Sequence, residues 1–240
     1  VAITSLSGGG YNFMGTHSPD NLRMRVIEPG FIQITNTGGT LTLDGSDEVE
    51  VINLPNPRGP VSIDLAGGDD FALLISLQLR RDLTVNLGDG GDQLSISEMK
   101  AARMVRFLGG AGSDVFAIGQ SVTIGRDLDV DLGLGVEDTW TYTGTTRDLV
   151  VKGDLIFRGA ADEVHVHVGG GTLEDEDFVH GLDPFNRFRV SGEFRVELTA
   201  PGNHHVDIAA GSIHFGSFHL AAAAGASTLV ASIRSLGVLN

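Results

Sequence analysis

The sequence predicts an all-β protein, a right-handed parallel β-helix (solenoid) of about nine coils of 21–24 residues each. Three observations predict it. A motif of the form Asp-x-apolar-x-apolar recurs at Asp20, Asp47, Asp70, Asp92, Asp114, Asp138, Asp162 and, loosely, Asp183, at spacings of 27, 23, 22, 22, 24, 24 and 21 residues. A second apolar segment follows each of several of these, written Arg-Asp-Leu-x-Val from Arg81, Arg126 and Arg147. Glycine is abundant at 34 residues against 7 prolines, which suits many tight turns and does not suit collagen.

The strands follow from alternation. Between Asp114 and Val136 the apolar residues come in three short alternating groups, Phe116/Ile118, Val122/Ile124 and Leu128/Val130/Leu132, separated by Gly119, Gly125 and Gly133. Alternation marks strands with one buried face. Three strands in about 22 residues suit a triangular coil better than the roughly 18 residues of a left-handed hexapeptide helix or of paired nonapeptide repeats. Stacked at about 4.8 Å, nine coils make a rod about 40 Å long. The spacing predicts an inward column through Val49, Ala72, Leu94, Phe116, Trp140, Val164 and Phe185, beside a second through Val51, Leu74, Ile96, Ile118, Tyr142 and Val166. Trp140 and Tyr142 read as core residues in a wider coil.

Residues 1–19 are expected to form an N-terminal cap and residues 20–240 a single β-helix domain. Residues 53–60 read as a surface loop, and Glu174–Asp177 as an acidic bulge. Coils are expected at Asp183, around His205 and at 227–240. The last is apolar to its end, which predicts either that the chain is a segment of a longer protein or that it self-associates end to end through an open sheet edge.

Composition narrows the function. The net charge of −15 repels phosphate backbones and so argues against a nucleic-acid partner, and it makes cations natural ones. Cysteine is absent, which removes disulfides, thiol catalysis and Cys-ligated zinc. No apolar run reaches the roughly 18 residues of a membrane span.

Asp70, Asp92, Asp114 and Asp138 should stack in one column at a corner. Like charges that close repel unless something neutralises them. Gly109-Gly-Ala-Gly-Ser-Asp114-Val-Phe-Ala matches the nine-residue GGxGxDxUx pattern, with shortened forms at Gly88–Leu94 and Gly67–Asp70. In these turns the chain resembles the RTX family of secreted calcium-binding repeat proteins. The resemblance implies that the Asp column is a calcium ladder and that the protein is secreted or displayed on a cell surface. It covers about nine residues closely and some twenty more loosely, and the tandem nine-residue spacing of the family is missing. The residues alone admit another reading, in which each Asp caps the amides of its own turn.

The Arg-Asp pairs read as a salt-bridged solvated corner. His165 and His167 alternate with Val164, Val166 and Val168 and should point outward. They are a transition-metal candidate, with His205 and Asp207 placed two coils on, about 10 Å away. Gly-His-Gly and Arg-x-Lys, expected of pectin-degrading hydrolases of this fold, are absent. GxSxG, P-loop and HExxH signatures are absent too. The expected function is therefore a non-catalytic structural or adhesive module with a polysaccharide or protein partner outside the cell. The alternative is a carbohydrate-active β-helix, using Arg81 and Asp92.

Overall fold

Aliphatic and aromatic residues alternate with polar ones over stretches too short for a helix, and the described chain accordingly contains strands and turns only. The computed structural model describes residues 1–142, 148–168, 187–210, 212–223 and 228–235. Two sheets result, of fourteen and ten strands.

The repeating unit is clearest between Asp92 and Leu134. Strands β11 (Gln93–Ser97), β12 (Lys100–Ala101) and β13 (Val105–Ala111) are followed by β14 (Val115–Ile118), β15 (Val122–Ile124) and β16 (Leu128–Leu134). Each pairs in parallel with the strand three elements on: β11 with β14, β12 with β15, β13 with β16. The same holds backwards to β8 (Phe71–Ile75), β9 (Gln78–Leu79) and β10 (Leu83–Asp89). A rung is therefore three strands.

Between its first and second strands the chain turns through a non-glycine residue of positive φ, at Ser76, Glu98 and Ser121. The polar side chains of this corner tie three rungs together. Ser76 Oγ donates to Glu98 Oε2 at 2.7 Å, and Gln120 Nε2 donates to Glu98 Oε1 at 3.2 Å.

Inward side chains stack in columns. One runs through Leu22, Ala72, Leu94, Phe116, Trp140, Val166 and Val206. Beside it lie Met24, Leu74, Ile96, Ile118, Tyr142, Val168 and Ile208. From the other sheet come Phe13, Ile63, Val85, Phe107, Val130, Phe157 and Val196. All are buried, and each Val, Leu, Ile, Met or Phe among them contributes on the order of 1.5–3 kcal/mol. Trp140 and Tyr142 are core residues as expected. Trp140 stacks on Phe157 at 5.5 Å and meets Phe194 edge-on at 6.1 Å.

Four expectations need correction. First, Asp47 does not begin a rung. Strand β3 (Asn21–Glu28) pairs directly with β8, so Asp20 is followed in the column by Asp70. The intervening chain makes antiparallel strands β4 (Phe31–Asn36) and β6 (Val51–Pro55), and Val49 and Val51 are exposed. Alternation identifies a half-buried strand but not its partner.

Second, the Asp162 rung is offset by two residues. In strands β17 (Glu137–Tyr142) and β20 (Glu163–Val168), Trp140 faces Val166 and Asp138 faces Val164. Val164 and Val166 therefore each sit one place along from the expected columns, and Asp162 is exposed.

Third, Leu149 does not share the slot of Leu83 and Leu128. It belongs to β18 (Leu149–Val151), beside Val122, while β19 (Leu155–Gly159) continues the Leu128 column.

Fourth, β20 pairs in register with β22 (Asn203–Ala210), so His205 is one strand from His165, not two coils away.

Asp183, Phe185, Arg147 and the acidic bulge at 174–177 lie outside the described residues, as does most of the apolar C-terminal end.

The chain begins with a hairpin of β1 (Ala2–Leu6) and β2 (Gly10–Met14). β2 lies parallel to β7 (Val61–Asp64), which in turn pairs with β10. At the other end, β21 (Arg187–Leu198) runs unbroken for 12 residues. It pairs with β18 through Phe188–Val190 and with β19 through Phe194–Leu198. That strand joins two ladders into the fourteen-stranded sheet. β21 is covered by β23 (Ser212–Ala222), and β22 by β24 (Thr228–Ser235).

Candidate functional site

The corner after β10, β13 and β16 is where glycine and aspartate concentrate. Gly88, Gly110 and Gly133 stack in register, all at positive φ. A Cβ on Gly110 would lie 1.7 Å from the Gly88 carbonyl oxygen, and one on Gly112 would lie 1.6 Å from that of Gly90. The glycines of the GGxGxD turn are thus accounted for by backbone stacking on backbone. Gly109 makes room for the aspartate itself, since a Cβ there would lie 2.5 Å from Asp114 Oδ2.

The turn delivers each aspartate into the interior. Asp20, Asp70, Asp92, Asp114 and Asp138 are all buried, Asp114 and Asp138 completely. Each backbone amide donates to the carboxylate one rung on: Asp20 N to Asp70 Oδ1 at 2.7 Å, Asp70 N to Asp92 Oδ1 at 2.7 Å, Asp92 N to Asp114 Oδ1 at 3.0 Å, and Asp114 N to Asp138 Oδ1 at 3.1 Å. The backbone carbonyls of Asp20, Asp70, Asp92 and Asp114 each accept an amide from that next rung at 2.8 Å. Sequence reasoning placed the cap within the turn. The acceptor is instead the neighbouring rung, a distinction that only register reveals.

The second oxygens differ. Oδ2 of Asp70, Asp92, Asp114 and Asp138 is buried with no partner. Burial disfavours the charged form, and the neighbouring carboxylates add to it, outweighing the amide bond that favours charge. Asp70, Asp114 and Asp138 are pushed up to about 7, and Asp92 is raised as well. Calcium takes six to eight oxygens at 2.3–2.6 Å. Here Oδ1 is engaged at each step, and among the described residues no three carboxylate or imidazole side chains converge on a common point.

The column has distinct ends. Asp20 has no unpartnered oxygen: Oδ1 accepts from Asn36 Nδ2 and Oδ2 from Thr16 N, both at 2.9 Å. Asn36 Oδ1 in turn accepts the Asn21 amide at 2.8 Å. Beyond Asp138 the register position is Val164 and then His204, which is buried with Nε2 2.8 Å from the Ala200 carbonyl oxygen.

A second aspartate column lies at the corner before β10, β16 and β19. Asp82, Asp127 and Asp154 are half-buried. Asp82 Oδ1 accepts Met104 N at 3.2 Å, Asp127 Oδ1 accepts Asp154 N at 3.0 Å, and Asp154 Oδ1 accepts Glu193 N at 2.7 Å. In the Arg81-Asp82 and Arg126-Asp127 dipeptides the aspartate thus serves as an amide cap. The ion pairs lie instead on the outer face of the adjacent strands, where Arg106 and Arg158 meet Asp129, Arg158 meets Glu197, and Arg195 bridges Glu193 and Glu197. The sequence hid this network because its members come from β13, β16, β19 and β21.

Of the histidines, His165 is half-buried. Its Nε2 lies 3.1 Å from Glu163 Oε1 and 3.9 Å from Glu137 Oε1, with the His205 ring at 6.3 Å. His167, expected on a solvated face beside His165, is instead buried and lies 3.7 Å, through Nδ1, from Asp207 Oδ2. Each imidazole therefore has its own carboxylate neighbour.

No protein-family model, curated protein or solved structure matches this chain.

Proposed function

We propose that this chain is a right-handed parallel β-helix that serves as a rigid, non-catalytic structural or adhesive module of a secreted or cell-surface protein. The observation that carries the reading is the aspartate relay. The most chemically conspicuous residues, Asp70, Asp92, Asp114 and Asp138, spend their carboxylates on holding one rung to the next. The three-strand repeat with parallel pairing supports the helical reading, and parallel crossovers are right-handed in nearly all cases. The RTX-like turn at Gly109–Ala117 supports the extracellular setting. β23 and β24 pair on one side only among the described residues, and that edge is where end-to-end association would occur.

The test is a screen of acidic and neutral polysaccharides, with reducing-end and unsaturated-product assays. No turnover is expected. Turnover abolished by Arg81→Ala or Asp92→Ala would replace this reading with a carbohydrate-active one.

The four unpartnered Oδ2 atoms favour asking what neutralises the column. Unfolding followed in EGTA and in millimolar calcium separates the choices. A rise in midpoint with calcium, lost in Asp114→Asn, makes the column a calcium ladder, because a ligand bound only by the native state stabilises it. A midpoint that responds to pH and not to calcium makes the neutralising species the proton.

A further inference from the structure

In a chain with nearly twice as many acids as bases, two grooves are lined by paired arginines and no acid, one by Arg58 and Arg80 and a slightly larger one by Arg23 and Arg25. The outer face of the ten-stranded sheet, where β3 lies between β4 and β8, carries Arg23 and Arg25, two residues apart on the same strand and so on the same side. The groove there has a volume of about 330 Å³. Its lining includes Arg23, Arg25, Gln33, Thr35, Leu73 and Ile75, and no Asp or Glu.

Both guanidiniums are held in place by neutral partners. Arg25 Nε and Nη2 donate to Gln33 Oε1 at 3.1 and 2.8 Å. Arg23 Nε donates to Asn21 Oδ1 at 3.3 Å, and its Cζ lies 5.7 Å from the centre of the Phe71 ring. Neither forms an ion pair among the described residues, whereas Arg106, Arg158 and Arg195 all do.

We propose that this groove is a binding subsite for an acidic saccharide, a sugar chain bearing carboxylates. The two arginines present positive charge that the protein itself leaves uncompensated, in the planar fork that suits a carboxylate. Leu73 and Ile75 form an apolar wall, with Phe71 beside it, suited to the C–H face of a pyranose ring. Gln33 and Thr35 offer neutral partners for hydroxyls. The sheet face continues past Leu73 through Ser95, Ala117 and Thr139 in register. Small side chains keep that track low enough for a chain longer than the subsite. The proposal stands whether or not the rod reading above holds, since it needs only these strands.

The experiment is titration calorimetry of the intact protein with tetramannuronate, with cellotetraose as the neutral counterpart and sodium sulfate as the simple anion. The expected result is that tetramannuronate binds, cellotetraose binds at least about tenfold more weakly, and affinity falls as salt rises. Arg23→Gln/Arg25→Gln should weaken binding at least about tenfold while leaving the unfolding midpoint unchanged, because charge-assisted bidentate contacts dominate such sites. Arg106→Gln, on the other sheet, should bind as the parent does. Leu73→Asp sets a carboxylate in the apolar wall and should also abolish binding, which gives a reading if the double variant folds poorly. The proposal fails if tetramannuronate does not bind, or if both altered grooves bind it undiminished. It also fails if sulfate displaces it at equal charge concentration, because the site would then recognise any anion.

Discussion

Two aspartate columns run along this molecule and do the same job in opposite directions. At the first corner the donor is the earlier rung and the carboxylate belongs to the later one, as in Asp92 N to Asp114 Oδ1. At the second the carboxylate belongs to the earlier rung, as in Asp154 N to Asp127 Oδ1. The first column is buried and the second half-buried. The difference teaches that an identical staple has different electrostatic consequences according to its depth. In the half-buried column water can solvate the charge, whereas in the buried column the carboxyl is driven towards its neutral form.

The largest effect tests the packing that separates the two. Gly110→Ala forces a Cβ to within 1.7 Å of the Gly88 oxygen at a φ of +120°. We expect a loss above about 4 kcal/mol, read as failure to recover soluble folded protein. A soluble variant with the parent's denaturation midpoint would mean the rungs are not stacked this closely.

Next is pH. A carboxyl raised from 3.8 to about 7 on folding keeps its proton in the native state over the interval where the unfolded chain loses it. The unfolded state then binds fewer protons, so stability falls as pH rises from about 4 to about 7 and levels off above that. With several coupled carboxyls the change should be on the order of a few kcal/mol. Urea midpoints at pH 5 and pH 8 measure it, and Asp114→Asn should flatten the slope and stabilise the protein at pH 8. A midpoint that rises with pH would show that the column is charged and neutralised by something other than protons.

Asp114→Ala, which strands the buried Asp92 amide, should cost about 1–3 kcal/mol at pH 5. Asp127→Ala, whose orphaned amide on Asp154 is half-buried, should cost about 1 kcal/mol or less. Equal costs would erase the distinction between the columns. Smallest of all, Arg158→Gln removes an ion-paired guanidinium from a partly exposed network and should change stability by about 0–1 kcal/mol, less at high salt. Chemical denaturation at two ionic strengths reads it.

Much of this was legible in the residue order. The 22–24-residue spacing from Asp70 to Asp138 located four consecutive rungs and the corner they share. Alternation chose the buried residues from Ala72 to Tyr142 correctly. It failed where the same local pattern serves another partner. Val49 and Val51 alternate like core residues, but their stretch leads into an antiparallel strand beside β4 and both face solvent. It failed again where turn length changes, since Asp162 keeps the motif yet sits two residues out of register. Asn36, which closes the column at Asp20, has no sequence signal, because its role exists only once β3 and β4 pair. The Arg23–Arg25 groove was invisible for the same reason.

The opposed staples also bear on how the stacked strands are assembled. A chain completed only as far as one rung presents at its leading end a row of groups with fixed polarity. At the first corner it offers an Asp amide awaiting an acceptor, and at the second a carboxylate awaiting a donor. Only a further rung in the correct register and orientation answers both at once. At the start of the chain the equivalent demand is already met by Asn36 and Thr16. Each rung from Asp20 to Asp114 thus leaves groups of fixed polarity that the following rung satisfies.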